Sequence, residues 1–153
     1  MAGELRASLE DAIIRRVFDY WDARRGDRFA PARRDLDPVD IPFALADIVL
    51  VDVVAGQPCR FRYRLVGENL VAVDGYNMRG RFLDELPEPE YRERVRLTWT
   101  RVVETRLPLH HVRCAVFDGR RRRYESLVLP LSGDGSRVDM ILGIQRHLPG
   151  DGV

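Results

Sequence analysis

The sequence predicts an α+β domain: an amphipathic helix at the N-terminus, two strands, a long helix and three further strands. Three observations carry this. Segments 46–54, 60–66, 111–117, 120–129 and 138–145 either concentrate β-branched residues or alternate apolar with polar ones, as strands do. One long helical pattern, announced by Pro87-Glu88-Pro89 and ended by Pro108, separates the first two segments from the last three. Short turns, Ala55-Gly56-Gln57-Pro58 and Asp118-Gly119, join strands within each group, and links this short make neighbours antiparallel.

Composition bounds the function. With 153 residues the chain is long enough to bury a core without disulfides or metals. Hydrophobic residues make up 45% and charged residues 32%, the balance of an ordinary globular protein. A formal net charge of +1 gives no global field to recruit nucleic acid or a membrane. All 25 basic residues are arginine, which excludes Schiff-base chemistry, a lysine general base and the lysine of a phosphate-binding loop. Cys59 and Cys114 lie far apart with no CxxC, and neither a signal peptide nor a membrane span is visible, so a cytoplasmic location with free thiols is expected.

Taken in order, residues 1–26 form an N-terminal helix. Leu5, Leu9, Ala12, Ile13, Val17, Tyr20 and Trp21 recur at three- and four-residue spacing, with Arg15, Arg16, Asp19 and Asp22 on the other side. Ile14 and Phe18 widen this face beyond one stripe, which points to a homodimer interface made of Leu9, Ile13, Ile14, Val17, Phe18 and Trp21. Residues 27–42, broken by three prolines, read as an extended connector. Residues 43–147 form the main domain and 148–153 a tail. Within the domain, Phe61, Tyr63 and Leu65 alternate with arginines, and Gly67 stops that strand. Leu70, Val71 and Val73 make a short helical turn, and Asp74-Gly75 and Gly80 bend the chain. Tyr91, Val95, Thr98, Trp99, Val102 and Val103 trace one face of the long helix.

The run Gly75-Tyr76-Asn77-Met78-Arg79-Gly80-Arg81, between a strand and the long helix, resembles the glycine-punctuated bridge in the middle of a PAS domain. The order of elements is also the PAS order, so the resemblance spans roughly residues 43–146. Upstream, Tyr20 and Trp21 are followed by Pro31, Arg33, Asp35, Asp37, Pro38, Asp40, Ile41 and Pro42. That pattern resembles a group of short stand-alone bacterial PAS proteins of unassigned function. The resemblance implies a PAS-like fold, a five-stranded antiparallel sheet with helices on one face, and a sensory or protein-interaction module without enzymatic activity. It also implies a homodimer that signals through a separate output protein. Flavin-binding relatives that react covalently use a cysteine just after the glycine-rich loop, and residues 77–82 contain none. Haem-binding relatives use a histidine on or beside the long helix, and none is present there. No cofactor is implied, and the pocket holds a small organic ligand or nothing.

Candidate chemistry is sparse. None of the four serines lies in a G-x-S-x-G elbow, and Ser132 and Ser136 sit in a turn. His110 and His111 are adjacent on a strand and point to opposite faces, so they cannot chelate together, and both read as solvated strand ends. Tyr63, Leu65, Phe82, Trp99, Val112, Cys114, Ser126 and Met140 are the expected lining of a cavity between sheet and helices, with Tyr63 and Ser126 as its polar groups. Two other functions compete. One is a small cone-fold enzyme of the ketosteroid-isomerase type, disfavoured by the two strands that precede the long helix. The other is nucleotide or RNA binding through Arg120–Arg123, a run that begins at a hairpin tip without interleaved aromatics, so nucleic acid is not expected as a partner.

Overall fold

A computed structural model describes residues 2–117 and 119–149. Asp118 of the predicted Asp118-Gly119 turn, and residues 150–153 of the predicted tail, lie outside the described residues. The elements are α1 (Ala2–Ser8), α2 (Ala12–Arg25), β1 (Ile48–Val54), β2 (Arg60–Val66), α3 (Glu68–Asp74), α4 (Pro89–Thr105), β3 (Leu109–Phe117), β4 (Arg120–Leu131) and β5 (Met140–His147). The strands form one sheet in the order β2-β1-β5-β4-β3, antiparallel at every pairing. The predicted α+β fold is the observed one.

Successive side chains of a strand point to opposite faces, and both faces of this sheet are covered. Val51, Val53, Val128 and Ile141 join Phe61, Tyr63, Trp99 and Val102 in a core beneath α4. Ile48, Leu50, Leu127, Leu129, Leu142 and Ile144 face the other way, onto Leu9, Ile14, Val17, Phe18 and Trp21. The helices between β2 and β3 therefore take one face, and the N-terminal segment takes the other.

This placement corrects the predicted dimer interface. Leu9, Ile14, Val17, Phe18 and Trp21 are buried by the chain's own sheet, and Ile13 packs against the same cluster. The wide apolar face is wide because it spans three strands; no second copy is needed to cover it. The helix is also broken, where one continuous helix was expected. Between α1 and α2, the backbone N–H groups of Glu10 and Asp11 both donate to the buried Glu125 carboxylate, at 2.8 Å each. Asp11 then caps α2 by accepting from the Ile14 N–H at 3.0 Å.

The connector is turned rather than extended, with 3-10 turns at Arg33–Asp35, Pro38–Asp40 and Pro42–Asp47. Its polar residues supply the reason. Asp35 accepts from the Ala32 N–H at 2.9 Å, and Asp37 accepts from the Val39 N–H at 3.0 Å. The Tyr20 hydroxyl donates to Asp40 at 2.6 Å and accepts from the Asp37 N–H at 2.9 Å. Trp21 Nε1 donates to the Pro130 carbonyl at 2.9 Å, which fixes α2 to β4. The Tyr-Trp and aspartate pattern is thus a structural staple between helix, connector and sheet.

One further close approach positions the cavity side. Gly67 leads from β2 into α3, and a Cβ there would fall on the Ala46 carbonyl oxygen and within 2.7 Å of Leu45 O. Only glycine lets these two backbones pass.

Candidate functional site

Between the sheet and α4 lies a cavity of about 150 Å³, with an apolar wall that includes Val49, Val66, Leu70, Val95 and Trp99. Trp99 is fixed edge-on against Phe61 and Tyr63, with ring centroids 5.5 and 5.4 Å away. Asp74, Tyr91, Arg94, Arg113, Ser126 and Gln145 line this cavity and also a wider outer chamber of about 580 Å³. The site is therefore apolar at its inner end and polar where it opens.

Strand parity places the polar wall. His111 and Arg113 on β3 share a face, Ser126 pairs with both His111 and Gln145 across the sheet, and all four border the cavity. Ser126 Oγ donates to Gln145 Oε1 at 3.4 Å. From the helices come Asp74 at the end of α3, and Tyr91 and Arg94 three residues apart on α4. Gly143 of β5 completes the floor, where a Cβ would lie 2.8 Å from Val49 Cγ1.

These groups perturb one another. Burial, reinforced by the Glu88 carboxylate, pushes Asp74 up to about 6. Burial, with the Arg113 guanidinium next and smaller contributions from neighbouring His110 and Arg94, pushes His111 down to about 4, so the ring is neutral at pH 7. Burial lowers Arg113 as well, with the Arg94 guanidinium adding repulsion. Tyr91 is pushed up to about 12, chiefly by burial, and Tyr63 is raised further by the same cause. Tyr76 donates to Glu88 at 2.8 Å and closes one side of the outer chamber.

The structure brings together part of the predicted lining. Tyr63, Trp99 and Ser126 border the inner cavity, and Cys114 borders the outer chamber while remaining exposed. Leu65, Phe82, Val112 and Met140 do not line either space. Leu65 is displaced by a register shift: Val51 pairs with Tyr63 but Leu50 pairs with Leu65, so Arg64 is an extra residue that turns Leu65 to the N-terminal face. Met140 packs in the N-terminal core, and Val112 alternates with the cavity residues His111 and Arg113, so it points away from them. Phe82 bridges to Arg62 beside β2 and carries the Arg60 guanidinium over its ring at 3.8 Å.

Sequence reasoning missed Asp74, Arg94, His111, Arg113 and Gln145. The signal was present as parity: His111 and Arg113 lie two and four residues after Leu109, which packs in the α4 core. His111 is a half-buried wall residue rather than a solvated strand end. His110, on the opposite face, lies with Nε2 2.8 Å from the buried Glu125 carboxylate. Within the Arg120–Arg123 run, Arg121, Arg122 and Arg123 alternate between the two faces of β4, and Arg123 pairs with Glu10 at 3.1 Å. Among the described residues no three His, Cys, Asp or Glu side chains are grouped to hold a metal ion, and no helix is long and apolar enough to cross a membrane.

No curated protein matches the chain in sequence. In three dimensions it is similar to the PAS domain of Bordetella pertussis BvgS, at 18% identity and a TM-score of 0.54, over 69% of this chain and 79% of that one. It is also similar to the Rhodobacter sphaeroides LOV protein, at 17% identity and a TM-score of 0.48, over 67% of this chain and 59% of that one. At such identities the first likeness speaks for the fold alone, and the cone-fold alternative falls with it. Sequence supplies the rest: residues 10–146 match the PAS_5 family, described as a PAS domain, and the chain belongs to the PAS domain family.

Proposed function

We propose that the chain is a non-enzymatic sensory module that holds a small organic molecule in the cavity between sheet and α4. The observation that carries this reading is the cavity itself, apolar within and ringed by polar groups at its mouth, as small-molecule sites generally are. Asp74 is the one cavity group raised toward neutrality, and among the described residues no hydrogen-bond partner or nucleophile is paired with it to form an acid–base machine. A binding role therefore suits the geometry better than a catalytic one.

A route for the signal is built into β4 and β5. Ser126 and Gln145 face the cavity, while their chain neighbours Glu125 and Arg146 face the N-terminal segment. Glu125 holds the turn before α2, and Arg146 bonds Asp11 at 3.1 Å and Asp47 at 2.9 Å. A molecule that shifts Ser126 or Gln145 pulls on those contacts, and a separate output protein reading α1 and α2 would receive the change. Native mass spectrometry of freshly purified protein tests the reading. The expected result is a co-purifying small molecule that is lost on Gly143→Leu, a change that fills the cavity floor. Unchanged retention of that molecule by the variant would place it elsewhere.

A further inference from the structure

Two arginines stand at the polar mouth of the cavity. Arg94 from α4 and Arg113 from β3 both border the inner cavity and the outer chamber. Neither forms an ion pair with a carboxylate among the described residues. Several neighbouring arginines are paired. Arg96, two residues along α4, is bonded to Glu93, and Arg60, Arg62 and Arg64 on β2 all reach aspartates. Arg94 instead lies near the Tyr91 ring, 5.4 Å from its centroid. Two guanidiniums that border the same cavity without a carboxylate partner, with His111 in the same inner lining, leave a position that an anion would fill.

Size and charge narrow the anion. The inner cavity, at about 150 Å³, matches the volume of a cavity that takes benzene. Asp74 and Glu88 line the same outer chamber, and their carboxylates repel a polyanion more strongly than a monoanion. A guanidinium fork fits a planar carboxylate through two parallel hydrogen bonds. Resting on the proposed ligand-binding role, we propose that the cavity takes a small organic monocarboxylate, its benzene-sized apolar body against Trp99 and Val95 and its carboxylate between Arg94 and Arg113.

The test is calorimetric titration of the full chain with benzoate, phenylacetate and 4-methylpentanoate, each beside its neutral amide, and with inorganic phosphate. At least one acid should bind, and its amide should bind at least about tenfold more weakly, because a hydrogen bond to a charged group is lost. Arg94→Gln and Arg113→Gln should each weaken that acid by about tenfold or more, whereas Arg96→Gln should leave it unchanged. Both replaced side chains are exposed, so circular dichroism should show intact folds for the variants. An amide that binds as tightly as its acid, or arginine variants that bind as wild type does, would overturn the carboxylate assignment and leave the sensory role standing. Phosphate binding without any organic acid would make this an inorganic-anion site and likewise overturn it. Binding of none of these probes would sink the assignment too, while the co-purifying molecule judges the sensory role separately.

Discussion

The carboxylate of Glu125, in the middle of β4, accepts the backbone N–H of Asp11 at 2.8 Å across 114 residues of sequence. The same carboxylate takes the Glu10 N–H at 2.8 Å and stands 2.8 Å from His110 Nε2, and it is fully buried. A buried carboxylate survives only when its lone pairs are occupied, and here the break between α1 and α2 occupies them.

Glu125→Ala leaves two backbone donors and the His110 ring without their acceptor. Each orphaned donor costs about 1–3 kcal/mol, so a loss of about 3 kcal/mol or more is expected in urea unfolding. Glu125→Gln keeps one acceptor oxygen and should lose less. Equal stability of wild type and Glu125→Ala would mean the N-terminal turn contributes nothing to the fold.

Charging the inner face of α2 should unfold the protein. Val17 is fully buried among Leu and Ile side chains of the sheet, and Ile13 packs at the edge of the same cluster. Ile13→Glu with Val17→Glu puts a carboxylate where no partner exists, and circular dichroism should report loss of structure. A folded monomer or dimer from this double variant, by light scattering, would show that α2 does not dock as described.

Stability should depend on pH through two opposed groups. Asp74 is raised to about 6 from an ordinary value of 3.8, so it favours the folded state when protonated and its contribution fades as pH rises through that window. His111 is lowered to about 4 from 6.5, so the unfolded chain takes up its proton first and stability rises with pH over about 4 to 6.5. In wild type the slopes largely cancel between pH 4 and 6. Asp74→Asn should reveal a rise of about 1 kcal/mol across that range once solvent screening is allowed for, and His111→Gln a comparable fall. Denaturant melts at pH 4, 5 and 6 read both slopes. Identical profiles for the two variants would contradict the assignment. The charged groups facing the pair are Glu88, Arg94 and Arg113, with His110 adjacent in the chain.

Gly67→Ala should destabilise by about 2 kcal/mol or more, because the new methyl meets the backbone oxygens of Ala46 and Leu45, which cannot swing aside as a side chain would. Gly75→Ala is the control for backbone conformation alone: its φ is 83° but nothing lies within 4 Å of an added Cβ. A smaller loss at Gly67 than at Gly75, by chemical denaturation, would count against the close approach.

Local pattern alone determined much of this protein. The period-two alternation of Phe61 and Tyr63, the helical spacing of Tyr91, Val95, Thr98 and Trp99, and the short turns specify strands, long helix and antiparallel neighbours, because each is a property of a few consecutive residues. Three of the pocket residues, Tyr63, Trp99 and Ser126, were legible for the same reason. Tertiary structure decided what depends on distant partners. The extra residue at Arg64 reverses the face of Leu65, and alternation carried through a strand cannot foresee such a shift. The apolar breadth of α2 has the same appearance in sequence whether a second chain or the chain's own sheet covers it; only the docking onto β4 and β5 distinguishes them. The arginine pair at the cavity mouth is likewise a meeting of α4 with β3, of Arg94 with Arg113, whose charges lie 19 positions apart in sequence and act on each other only once the helix lies across the sheet.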